Sequence, residues 1–136
     1  MSDDFSQCMV SNARMAARAI TRRYDAYLRP YGVTATQLSL LGGIRQLPRS
    51  TVSQLAEARG FERTTLTRNL DRLEQMGLVA SAAEGRGRVP ALTATGEALL
   101  DELLPLWRQA QVELRAELSS ETFDASINTL KRLSKV

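Results

Sequence analysis

The run from Thr51 to Leu92, TVSQLAEARGFERTTLTRNLDRLEQMGLVASAAEGRGRVPAL, constrains the fold more than any other part of the chain. Thr51 and Gln54 stand at capping-box spacing ahead of Val52, Leu55 and Ala56, so a short helix begins there. Ala58-Arg59-Gly60-Phe61 reads as a tight connection with glycine at the turn. Leu66, Leu70 and Leu73 then place an apolar stripe on a second helix, which begins at Glu62 and is closed by Gly77. Thr64, Arg68, Asp71 and Gln75 fall opposite that stripe, flanked by Thr65, Thr67 and Arg72. After Gly77 the period becomes β-compatible. Leu78-Val79-Ala80 and Val89 to Leu92 flank Glu84-Gly85-Arg86-Gly87-Arg88, which predicts a hairpin with a basic tip. Pro90 confines the returning strand to a sheet edge. A short helix, a glycine turn, a polar-faced helix and a hairpin form a helix-turn-helix followed by a wing.

The chemistry of the second helix separates it from an ordinary solvated helix. Glu, Lys and Gln would solubilise its outer face with better helix propensity than threonine. Small hydroxyl side chains instead allow close approach, and arginines reach base edges or phosphates, so Arg63, Thr64, Thr65, Thr67, Arg68 and Arg72 are the candidate major-groove face. Arg86 and Arg88 on a glycine-flexed hairpin suit the negative potential of an adjoining minor groove. The formal charge is only +3, but every one of the 18 basic residues except Lys131 and Lys135 is an arginine, whose planar fork matches phosphates and guanine edges.

The flanking segments read as helices. The pattern from Asp4 to Tyr31 is helical and stops at Arg29-Pro30-Tyr31-Gly32; another helix spans roughly Ala35 to Gln46. The adjacent Gly42 and Gly43 inside that second helix cost about 1 kcal/mol each relative to alanine, and close backbone packing is their expected reason. A long helix follows from Ala94 to near Leu118, with a bend expected at Pro105, and a last one from about Ser120 to Leu133. Their leucines (Leu99, Leu100, Leu103, Leu104, Leu106, Leu114, Leu118, Leu130 and Leu133, with Trp107 and Ile127) exceed what one elongated array can bury, which points to a dimer interface.

Composition excludes other classes. The chain has no histidine, which removes the commonest zinc ligand and the commonest general base, and no glycine-rich phosphate loop, so neither an enzyme nor a metal or cofactor site is expected. Cys8 is the single cysteine, which favours a reducing compartment. The stretch MSDDFSQC lacks the features of a signal peptide, and ALLDELLPLW is too short and too charged to span a bilayer, so a soluble cytoplasmic protein is expected.

The segments LAEARGFERTTLTRNLDRLEQMGLV and EGRGRVPALTATGEALL resemble the MarR family of bacterial winged-helix transcription regulators, and RMAARAITRRYDAYLRPYGVTATQLSLL and LLPLWRQAQ extend the likeness over most of the chain. The resemblance implies a mainly α fold with a small β-hairpin wing. Residues 34–93 would be the DNA-binding lobe, and residues 1–33 and 94–136 the N- and C-terminal dimerisation helices of a homodimer. It implies a double-stranded, pseudo-palindromic operator, repression, and release by a small aromatic or phenolic ligand, with Arg18, Tyr24 and Trp107 as candidate pocket residues. It carries Thr64, Thr65, Thr67 and Arg68 to the major-groove helix and Arg86 to the wing arginine, with Glu84 in place of the family's bracing aspartate. Gly87 and Pro90 stand where apolar β-branched residues are common, so a looser wing strand is expected. Two alternatives accompany this reading: a winged-helix module for protein–protein interaction, and a peroxide-sensing repressor acting through Cys8. Against the second, the resemblance puts the sensing cysteine at Val10, roughly 200° around the helix from Cys8, and Asp3 and Asp4 are expected to raise the thiol pKa.

Overall fold

A computed structural model describes residues 3–85 and 87–135. A 3-10 turn (Phe5–Gln7), capped by Asp4, leads into α1 (Met9–Leu28), and a second 3-10 turn (Arg29–Tyr31) ends at Gly32 with φ 71°. The single helix expected from Asp4 to Tyr31 is therefore interrupted at both ends, by the Asp4 cap and by Pro30. Helix α2 (Ala35–Gln46) starts at a reciprocal capping box between Thr34 and Gln37. The Asp25 carboxylate also accepts the Ala35 N–H at 2.7 Å and ties α1 to this start.

Helix α3 (Val52–Arg59) carries the expected Thr51–Gln54 capping box and ends at Gly60, φ 69°. Helix α4 (Arg63–Gln75) buries Leu66, Leu70 and Leu73 completely. It closes with the Leu78 N–H donating to Leu73 O and the Gly77 N–H to Glu74 O, both at 3.0 Å, the six-to-one and five-to-two pair that a left-handed glycine permits. Strands β1 (Val79–Glu84) and β2 (Gly87–Leu92) pair antiparallel from Val79↔Leu92 to Glu84↔Gly87. Helix α5 (Ala94–Leu118) runs on through Pro105, and Ser119, at φ 77°, caps α6 (Ser120–Leu133). No helix among the described residues is long and apolar enough to cross a membrane.

The core joins these elements through Leu28, Leu40, Leu41, Leu55, Leu66, Leu70, Leu73, Leu100 and Leu103, each under 2% exposed. This divides the leucine surplus of the terminal helices. Leu100 and Leu103 belong to the chain's own core, and Leu99, Leu104 and Leu106 pack against it. Leu118, Ile127, Leu130 and Leu133 remain exposed, as do Met9, Val10 and Met15 on α1 and Val112 on α5. The boundary follows position: the C-terminal end of α1 and the N-terminal half of α5 pack on the core, whereas the start of α1, the far end of α5 and the last turns of α6 carry the exposed apolar side chains.

The glycine pair in α2 has a different setting from the one expected. A Cβ at Gly42 meets nothing within 4 Å, and one at Gly43 meets only the Arg59 side chain, at 3.7 Å and beyond. Both glycines line a cleft of about 280 Å³ between α2, Arg59 and the α5 residues Leu100, Leu104 and Trp107. Gly42→Ala is therefore expected to stabilise the chain by about 1 kcal/mol, through helix propensity alone. An unchanged or lower urea midpoint would show that the helix needs a glycine there.

Candidate nucleic-acid interface

Because Leu66, Leu70 and Leu73 hold α4 against the core, its opposite side is presented outward. Arg63, Thr64, Thr67, Arg68 and Asp71 line one shallow concave surface there, and Arg72 is exposed beside it. Arg63 is also positioned: its Nη1 donates to Ser53 Oγ at 2.9 Å, fixing the first turn of α4 against α3. Thr65 departs from its companions. It is half-buried, its hydroxyl donates to Glu62 Oε2 at 3.0 Å, and its carbonyl accepts from Asn69 Nδ2. This threonine supports the helix start instead of joining the outward surface.

The wing approaches this unit closely at Gly87, one of the two positions behind the expectation of a looser strand. Residue 87 must be small, because a Cβ at Gly87 would lie 2.7 Å from Thr51 Cγ2. The basic tip is also shorter than the sequence suggests. Glu84 pairs with Gly87, leaving a two-residue connection, so Arg88 lies within β2. Its Nη2 is 3.0 Å from both Asp71 Oδ1 and Glu74 Oε2, and its Nε donates to Ser81 Oγ at 3.1 Å. The Ser81 hydroxyl, ahead of the Arg88 guanidinium, holds the Glu74 carboxyl below the usual carboxylate range. Arg88 is thus committed to carboxylates, which corrects its assignment to the tip. Glu84 is exposed at the end of β1. Arg86, the expected wing arginine and partner of Glu84, lies outside the described residues. Periodicity places Asp71 on the outer face of α4 but does not join it, Glu74 or Ser81 to Arg88; the packing of the hairpin against α4 brings the two carboxylates there, and strand pairing brings Ser81.

A second feature lies between α1, α2 and α5. Tyr24 and Trp107 line a cleft of about 310 Å³ together with Ile20, Thr21 and Phe61, and this cleft shares Leu38, Ser39 and Trp107 with the glycine-floored one. The Tyr24 hydroxyl bonds Gln111 Oε1, and burial raises its pKa. Arg18 is exposed on α1 and lines neither cleft, so the grouping of Arg18 with Tyr24 and Trp107 is corrected to the two aromatic residues. Farther along, Arg23 forms a two-pronged pair with Glu117 at 2.6 and 2.7 Å, joining α1 to α5.

Cys8 occupies the N-cap position of α1 and is half-exposed. Contact with the Ser11 backbone N–H, then the Ser11 hydroxyl and the Val10 N–H, lowers its pKa from the ordinary thiol value. The direction is opposite to that expected from Asp3 and Asp4, because amide groups at a helix start favour a thiolate.

Comparison with known proteins places this geometry. Residues 31–88 match the model of the MarR family. The fold is similar to that of the transcriptional regulator MosR from M. tuberculosis, with 38% identity, a TM-score of 0.85 and coverage of 97% of this chain and 98% of that one. MosR in complex with DNA matches at 38% identity and a TM-score of 0.83, over 95% and 96% of the two chains. A cysteine-to-serine variant of MarR from E. coli, complexed with operator DNA, matches at 26% identity and a TM-score of 0.83, over 97% and 99%. With its helix-turn-helix, wing and long terminal helices, the chain belongs to the MarR family of DNA-binding transcription regulators, which are not enzymes.

Proposed function

We propose that this regulator is a homodimeric repressor of a pseudo-palindromic operator, released by a small aromatic or phenolic anion. The observation that carries the dimer is the exposed apolar surface of the terminal helices: Met9, Val10 and Met15 on α1, Val112 and Leu118 on α5, and Ile127, Leu130 and Leu133 on α6. So many exposed apolar side chains on the terminal helices are covered by a partner in a soluble protein, and a twofold axis presents the same surface on both subunits. Two copies of α4 then address half-sites about 10 bp apart on one face of the duplex. In this reading Thr64, Thr67 and Arg68 reach the major groove, Arg63 and Arg72 the flanking phosphates, and Arg86 the minor groove. The protein acts in the cytoplasm, on chromosomal DNA.

The two adjoining clefts at Trp107 support the ligand half of the proposal. They lie where α1, α2 and α5 meet, between the terminal helices and the winged lobe, and each is large enough for a single aromatic ring. Arg59 at the mouth of one offers a cation to a carboxylate or phenolate. Such a ligand releases DNA only by binding the DNA-incompetent arrangement more tightly, since equal affinity for both shifts nothing.

The test has two arms. Sedimentation at micromolar concentration is expected to give a dimer, and a folded monomer would overturn the assembly. A panel of hydroxybenzoates and related aromatic acids is expected to contain members that raise the melting temperature and weaken operator binding. A panel that does neither would remove the effector from the proposal and leave the dimer standing.

A further inference from the structure

The outward surface of α4 has carboxylates on one side. Asp71 lines the same concavity as Arg63, Thr64, Thr67 and Arg68, and its side chain is 58% exposed. Glu74 follows one turn along the helix, on the side of the wing. DNA presents a phosphate charge about every 1.7 Å of its axis, so unmatched acids on a surface that meets it oppose binding.

Arg88 answers both of them. A single Nη2 lies 3.0 Å from each carboxylate, and the Nε hydrogen goes to Ser81 on the neighbouring strand. One guanidinium therefore joins the middle of α4, its last turn and both strands of the wing. Next to it, Gly87 rests against Thr51 at the start of α3. The wing is pinned to the helix-turn-helix at two consecutive residues, one by shape and one by charge. The Arg88 side chain is 30% exposed, with its donors turned toward the protein's own acids.

We propose that Arg88 is a positioning residue: it screens Asp71 and Glu74 from the DNA phosphates and sets the height of the wing above α4, and it does not itself bind phosphate. Selectivity follows from the same contact, because the acids it restrains also limit attachment to random duplex.

Fluorescence anisotropy on the intact dimer, with operator and random duplexes, tests this with three variants. R88Q exposes two unmatched carboxylates and is expected to weaken operator binding by about 10-fold, the scale of a like charge brought against a charged partner. D71N/E74Q/R88Q removes all three charges and is expected to return to within about 3-fold of the parent, since no unmatched acid remains. D71N/E74Q keeps Arg88 and is expected to bind random duplex more tightly, with a steeper dependence on salt, because a guanidinium has been released toward phosphate. A triple variant as weak as R88Q would make Arg88 a phosphate ligand and overturn the proposal. So would unchanged binding by R88Q, or weaker binding of random duplex by D71N/E74Q, which is the signature of a purely mechanical brace. The last arm retains Arg88 and does not depend on how well R88Q folds; melting curves for all three variants identify any loss of fold.

Discussion

Gly96→Ala is expected to destabilise the chain by about 3 kcal/mol, at the upper end for a methyl group forced into a packed site. A Cβ built on Gly96 would stand 2.0 Å from the Leu78 carbonyl oxygen, 2.9 Å from its carbon and 3.3 Å from its Cα. These are backbone atoms at a fixed joint. The Leu78 oxygen accepts the Thr93 N–H at 3.0 Å, the Thr93 hydroxyl donates to Gly77 O at 2.6 Å, and the Gly96 N–H donates back to Thr93 Oγ1 at 3.0 Å. The contact thus sits where the end of α4, the first strand and the start of α5 meet. Neither side can swing away as a flexible side chain does, so the strain spreads into the core around Leu78 and Leu100. Against a typical total of about 5–15 kcal/mol, this is a large fraction. Urea unfolding measures it as a fall in midpoint at constant slope. A variant within about 0.5 kcal/mol of the parent, as for an ordinary surface change, would mean that this joint is far less tight.

Arg68→Ala is expected to have the largest effect on operator binding with almost none on stability. Its side chain projects from the side of α4 opposite Leu66, Leu70 and Leu73, and among the described residues it forms no ion pair or hydrogen bond. Its removal leaves no internal partner unsatisfied, so the unfolding free energy should stay within about 0.5 kcal/mol. A bidentate contact to a base is worth about 1–3 kcal/mol, and the proposed symmetric dimer would make it twice. The combined loss of about 2–6 kcal/mol weakens operator binding by at least about 30-fold. Random duplex should lose much less, because phosphate contacts dominate there. Anisotropy titrations with both duplexes give the comparison. Unchanged operator affinity would take Arg68 out of the major groove.

These two substitutions mark the difference between what was legible in the chain and what was not. Arg68 could be placed from periodicity alone, because a leucine stripe at positions 66, 70 and 73 dictates which side of the helix it leaves bare. The same local rules located the capping box at Thr51 and Gln54 and the ends of the last two helices. Nothing local distinguishes Gly96 from Gly42, however. Both lie inside helices, yet one touches backbone and the other faces a cleft, and the pair at Gly42 and Gly43 was the one that looked structurally demanding.

The site divides in the same way. The outward surface around Thr64, Thr67 and Arg68 belongs to one helix and follows from residue types at helical spacing. Thr65 lies between them in sequence but bonds to Glu62, a choice made by local geometry that spacing alone does not fix. Arg88 carried a signal that pointed the wrong way: beside glycines it resembled a loop cation. A two-residue connection instead places it in the strand, within reach of Asp71 and Glu74. Arg18 could share a cleft with Tyr24 only if it left α1 in that direction, and it does not.

The chain by itself therefore determined its helices, its turn glycines, its wing and the outward polar face of α4, because each depends on residues a few positions apart whose periodicity survives without partners. Only the tertiary structure decided which glycine lies against backbone, which leucines stay in the core and which arginine pairs with the protein's own carboxylates. Those outcomes depend on distances between segments far apart in sequence, set when the strand register and the helix packing close together.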